Sequence, residues 1–226
     1  MTRSPARRRL AIVLPLTLVV IGFAGWSWRQ SEGPPTDTAA AGTNESGGPG
    51  CDPVLREPTG GAGAHIDDEP IFYQSAPPSF GDHSSGWEVR ALSFYDVEDR
   101  PDVPVLVHNL EHGYNILWYD ETVIDDAEAV AGVREIADAY ATLDRERHPA
   151  TAFIAAPWTS EDGAGFPDGM NYALTHWYAD PTDRSSSRAD ELGLTQYCAD
   201  VSAAVVRQWM DAYPLSDAPE GFTDLL

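Results

Sequence analysis

Four of the six histidines fall between residues 65 and 112, and two of them, His108 and His112, bracket Glu111 in the stretch LVHNLEHG (Leu106–Gly113). Imidazole nitrogen binds zinc, copper and nickel, and three or four converging nitrogens make a strong site. A spacing of four puts His108 and His112 on one face of a helix or a continuous strand, and near each other across a hairpin turn. His65 and His83 lie in glycine- and proline-rich chain that can fold back toward them, with Gly63, Gly81 and Gly113 permitting close backbone approach. The expected metal ligands are His83, His108 and His112, with His65 available as a fourth. Glu111 is read as a further ligand or as an acceptor that orients a ligand imidazole, and Asp82 as another such acceptor. The ion expected is zinc or copper.

Two other readings stay open. The histidines can be ordinary polar residues packed in a turn-rich surface, which makes the domain a metal-free interaction or structural module. Alternatively, His108-Asn109-Leu110-Glu111-His112 fits H-x-x-E-H, in which two histidines hold zinc and the glutamate acts as base from mid-helix. Pro104 upstream, Gly113 directly after, and Val103, Val105 and Val107 point instead to a strand, so a zinc hydrolase ranks third and no catalytic residue is assigned. His148, before Pro149, suits a helix end, and His176 a sheet. No G-x-S-x-G, P-loop or G-x-G-x-x-G is present. Trp87, Trp118, Trp158 and Trp177 are scattered at element ends and read as packing.

The elements that must position these groups follow from hydrophobic periodicity. Residues 51–85 are turn-rich, with a short extended piece at Ile71–Tyr73. Trp87–Tyr95 reads as a strand, as do Val103–Asn109 and Tyr114–Tyr119, the last two joined through Leu110–Gly113 as a hairpin. Asp125–Arg147 repeats Val130, Val133, Ile136, Ala137, Tyr140 and Leu143 at threes and fours, with acids first and arginines last, and is expected to be a helix. Strands are expected at Thr151–Ala156 and Asn171–Tyr178, a second helix at Asp200–Tyr213 and a tail from Pro214. The order β-β-α-β-β-α predicts an α+β two-layer sandwich, a mostly antiparallel sheet of about four strands with two helices on one face.

Residues 1–9 form a basic head, and Leu10–Trp28 is uncharged and apolar for 19 residues. At ~1.5 Å per residue such a helix spans roughly 28 Å, about one hydrocarbon core. Arginines before it and Trp26 and Trp28 at its far end predict an uncleaved single-pass anchor, with the following chain outside the cytoplasm. Residues 29–50, rich in Gly, Pro, Ser, Thr and Ala, read as a flexible tether of roughly 25 Å r.m.s. span, and 51–226 as an extracytoplasmic globular domain. Cys51 and Cys198, the two cysteines, flank that domain and are expected to form a disulfide in an oxidising compartment. The formal charge is −22, all 14 basic residues being arginines; five precede Glu32, the first acid, leaving nine against 36 acids after it. Such a domain repels nucleic acid and anionic headgroups. The expected partners are the membrane, through the anchor, and a metal ion or another protein.

His65 in GAHI, Pro77–His83 (PPSFGDH), Val107–Gly113 (VHNLEHG), Ala156-Pro157-Trp158, the late cysteine and Ala218-Pro219-Glu220 together resemble an uncharacterised, exported bacterial family, domain-of-unknown-function family 3105. Its pattern is an early histidine, a PPxSGxH segment and an LVHxLEHG segment. Phe80 stands where that pattern has serine, while His83 still falls on the motif histidine. The resemblance implies one folded unit from about Cys51 to Glu220 and an exported location, and it carries no activity.

Overall fold

The structure, a computed structural model, describes residues 50–141, 152–183 and 187–221. Within them the chain runs β1 (Leu55–Pro58), α1 (Val103–Glu111), β2 (Asn115–Tyr119), α2 (Glu121–Ile124), α3 (Ala127–Ala141), β3 (Phe153–Pro157), β4 (Tyr172–Tyr178), β5 (Leu192–Cys198) and α4 (Ala203–Ala212). The five strands form one sheet in the order β1-β5-β4-β2-β3, antiparallel throughout except for the parallel pair β2–β3.

The α+β class is as expected, but the layering is not. Alternate residues of the central strands feed two separate cores. Leu117, Tyr119, Phe153, Ala155 and Leu174 pack with Val133, Ile136 and Ala137 of α3 and with Val205, Val206 and Trp209 of α4. Ile116, Trp118, Ile154, Ala156, Ala173 and Trp177 pack on the other face with Val103, Leu106, Val107 and Leu110 of α1. The sheet is therefore covered on both faces, and β2 and β3 are buried at every position, as strands sandwiched between two apolar layers must be.

The second layer exists because residues 103–111 form a helix and not the expected strand. Val103, Leu106, Val107 and Leu110 recur at three, four and seven residues, a helical stripe, and all four are buried. Pro104 sits in the first helical turn, where its missing N–H costs nothing. The helix stops at Gly113, whose N–H reaches the carbonyl of Leu110 and whose φ of +87° disfavours any side chain. No hairpin joins this segment to β2. Trp87–Tyr95 is likewise turns with one bridge, Phe94 to Ala155, and Ile71–Tyr73 joins no sheet.

Two strands are additional to those expected. In β5, Gly193 leaves room for Phe80 and Ser79 to lie directly against the strand; β1 is short and exposed. The expected long helix is found as α3, its N-terminus capped by Asp126, with the expected stretch 142–147 outside the described residues, and the expected final helix as α4, capped by Ser202. Cys51 and Cys198 are joined as a disulfide, which fastens the start of the described chain to the end of β5. Among the described residues no helix is long and apolar enough to cross a membrane. The expected anchor at 10–28, the head before it and the tether up to residue 49 lie outside them.

Candidate metal centre

Each residue of the stretch His108–Gly113 has a separate task once α1 is in place. Leu110 enters the core beneath the helix. Asn109, fully buried, exchanges two hydrogen bonds with the backbone of Glu88: Glu88 N–H donates to Asn109 Oδ1 and Asn109 Nδ2 donates to Glu88 O, both at 3.1 Å. That clamp brings Trp87 onto the ring of His112, centroids 4.2 Å apart. His108 and Glu111, three residues apart, project from neighbouring positions of the last turns, and His112 is the C-cap.

The lead between β1 and α1 supplies the other two histidines. Asp82 Oδ1 accepts hydrogen bonds from the backbone N–H groups of Gly63 (3.0 Å) and Ala64 (2.9 Å). Ile66 N–H donates to His83 O and His83 N–H to Ala64 O, a parallel bridge that sets His65 beside His83. The Asp82 carboxyl is held below its ordinary value by these backbone donors. Asp82 thus acts on the backbone that carries His65 and not on an imidazole.

The side chains of His65, His83, His108 and Glu111 converge, with one ligand atom from each within 4.8 Å of all the others. Glu111 Oε2 is the hub: His83 Nε2 lies at 3.0 Å, and His65 Nε2 and His108 Nε2 each at 3.8 Å. A tetrahedral ion with bonds of 2.0–2.1 Å keeps its ligands about 3.3 Å apart, so these atoms, up to 4.8 Å from one another, would have to draw inward to form such a shell. His83 and Glu111 are fully buried, while the side chain of His65 is 50% exposed.

Backbone carbonyls decide which nitrogens face the centre. His83 Nδ1 lies 2.8 Å from Gly81 O and His108 Nδ1 2.8 Å from Ser84 O. A carbonyl only accepts, so the ring proton of each neutral histidine sits on Nδ1 and the lone pair on Nε2 points inward. His83 Nε2 then confronts a carboxylate oxygen at 3.0 Å, lone pair against lone pair. This close approach is no well-formed hydrogen bond, and both atoms are buried without one. A second proton on His83 or a cation between the two atoms resolves the conflict.

The electrostatics prepare the donors in the same sense. Burial, then the neighbouring His83 and His112, push the His108 imidazole down to about 4, which keeps it neutral. Burial would raise the Glu111 carboxyl, but a second proton on His83, which turns the opposition into a charged hydrogen bond, and the Arg188 guanidinium outweigh that and bring it down to about 2. Arg188 Nη1 donates to Glu111 Oε1 at 2.5 Å. One carboxylate oxygen is thus neutralised by a guanidinium, and the other is left for the imidazole cluster. Three imidazoles and one carboxylate are a donor set that could hold a transition-metal ion.

Residues 65–223 match the family described as protein of unknown function (DUF3105). The chain belongs to that family. No curated protein and no solved structure matches it. The family match starts at His65 itself and contains His83, His108, Glu111, His112 and Arg188; Cys51, β1 and the Gly63 and Ala64 N–H groups lie before it.

Of the residues expected to form a site, His65, His83, His108 and Glu111 meet. His112 stands beside them, its Nε2 3.1 Å from His108 Nε2. His176, on β4, takes Asp217 Oδ1 at 2.9 Å and does not join the cluster; His148 lies outside the described residues. The H-x-x-E-H stretch does lie on a helix, so the strand-based objection to the hydrolase reading falls. Glu111 is nevertheless engaged by Arg188 on one oxygen and turned to the cluster with the other, whereas the general base of that motif needs a carboxylate free to take a proton from water. Arg188 and Glu220 were missed. Arg188 is 77 residues from Glu111, and the one signal for it was the scarcity of cations among so many acids.

Proposed function

We propose that this domain binds a transition-metal ion, zinc or copper, through His65, His83, His108 and Glu111, and serves metal handling or sensing on the outer side of the cell membrane. The observation that carries the reading is the buried opposition of His83 Nε2 and Glu111 Oε2, oriented by Gly81 O and Arg188 and ringed by two more imidazoles. Without a charge between them the pair is unfavourable; a divalent ion converts it into two bonds. The outward location is supported by the basic head, the apolar run at 10–28 and the disulfide.

The test is the metal content of the untagged 226-residue chain, purified in detergent without chelator and washed at high salt to strip ions from its acidic surface. Near-stoichiometric zinc or copper is expected in the wild type and its loss in His83→Ala/His108→Ala. Absence of metal from the wild type after both ions have been offered would refute the proposal.

A further inference from the structure

The cluster has more donors than one ion needs, and the surplus is arranged as a path. Glu220 Oε2 lies 3.9 Å from His112 Nε2, His112 Nε2 lies 3.1 Å from His108 Nε2, and His108 Nε2 lies 3.8 Å from Glu111 Oε2, which is 3.0 Å from His83 Nε2. Burial rises along the same line: the side chain of Glu220 is 37% exposed, that of His112 6%, that of His108 5%, and Glu111 and His83 are closed to solvent. No step exceeds about twice a metal–ligand bond, so an ion can be held by two successive donors before it leaves the first.

The parts of this path are fixed in place. Trp87 stacks on His112. Glu220 is set at the end of α1 by its backbone N–H, which donates to Glu111 O at 2.9 Å, and its Oε1 faces Arg188 Nη2 at 3.7 Å. That leaves its other oxygen on the side of His112.

We infer that Glu220 and His112 form an outer station through which the metal ion enters and leaves the inner site, with His108 as the ligand shared by the two positions. This rests on the cluster being a metal site and adds the route by which the site is filled. The hydrated ion binds Glu220 and His112 and releases water. His108 then bonds to it while His112 is still attached, since two ligands 3.1 Å apart fit on one ion. Bonds to Glu111 and His83 form as those to Glu220 and His112 break and His65 closes the shell. Both carboxylates stay ionised. His108 keeps its proton on Nδ1; His112, the donor in the metal-free His112–His108 contact, takes its other neutral tautomer while bound. No oxidation is involved, and a second proton on His83, where the metal-free protein holds one, passes to water as the ion takes its place.

The experiment is stopped-flow loading of Co(II), followed by its visible ligand-field bands, and release to excess chelator, in the full chain with wild-type residues, Glu220→Gln, His112→Ala and His83→Ala. Glu220→Gln and His112→Ala are expected to slow loading and release together by about tenfold, the effect of losing a steering charge or way-station, so that their ratio, the Kd, moves far less than either rate. The bands of the loaded protein are expected to stay those of the wild type. His83→Ala is expected to lose affinity and alter the bands. Wild-type rates in Glu220→Gln and His112→Ala would overturn the relay and place entry past the exposed His65. Altered bands in His112→Ala would overturn it by making His112 a permanent ligand. A wild type that binds no cobalt, zinc or copper would refute the metal site itself, a result separate from either of these.

Discussion

Arg188 is the residue whose removal speaks most directly to how the site is built. It crosses from a 3-10 turn at Arg188–Asp190 to Glu111, a fully buried carboxylate held at about 2 where 4.5 is ordinary. A depression of that size is worth about 3 kcal/mol at neutral pH. His83 supplies part of it, and the Arg188 side chain is 39% exposed, so screening by solvent reduces its share. Replacing Arg188 by Met keeps an apolar stem beside Trp177 and leaves the carboxylate without its cation. The expected cost in metal-free protein is about 2 kcal/mol, or a fall in Tm of about 4–8 °C for a domain of this size. The folded carboxyl lies below its unfolded value, so its contribution is complete above pH 4.5 and fades as the pH drops toward 2. The gap between wild type and variant should therefore be widest near neutrality and close in acid. Saturating zinc should narrow it as well, because the ion replaces the lost positive charge. Thermal unfolding by circular dichroism across pH, with and without zinc, measures all three. A variant as stable as the wild type at pH 7 without metal would show that Glu111 is not held by Arg188 and would remove the account of its charged state given above.

Other expectations are simpler. Asp82→Ala frees the N–H groups of Gly63 and Ala64 and should weaken zinc binding about tenfold or more through misplacement of His65, read by calorimetry, with the unfolding temperature little changed. Gly113→Ala must hold a side chain at φ +87°, with its Cβ 2.7 Å from Leu215 O, and should destabilise by at least about 1–3 kcal/mol in denaturant titration. Cys51→Ser/Cys198→Ser opens a loop spanning a sequence separation of 147 and should cost about 2–5 kcal/mol, seen as a lower denaturant midpoint.

The sequence carried the chemistry of the site better than its scaffold. Four histidines close in sequence point to one cluster, with His83, His108 and His112 as the expected ligands, His65 as a fourth and Glu111 as a ligand or orienting acceptor, whereas the structure brings together His65, His83, His108 and Glu111 and sets His112 beside them. Their scaffold was misread at one place, Val103–Asn109, where the valines at 103, 105 and 107 have the alternation of a strand while Val103, Leu106, Val107 and Leu110 have the period of a helix. The two patterns share residues, and length settles the matter only when Leu110 and Glu111 are counted in. Reading that segment as a strand removed the helix that covers the second face of the sheet. β5 was passed over because Gly193 and Gln196 dilute its apolar pattern and Phe80, far away in sequence, completes it. Arg188 could not be paired with Glu111 from sequence, since charge complementarity across 77 residues leaves no local mark.

The centre draws on residue 65 at one end and residue 220 at the other, and the lead that brings His65 and His83 has only isolated bridges between β1 and α1. A segment held by isolated bridges and not by a continuous ladder opens locally at a lower free energy than the sheet does. The capacity to hold an ion should therefore disappear before the sheet melts. The site is then a monitor of the finished fold, and an ion found in it marks a molecule whose lead has docked.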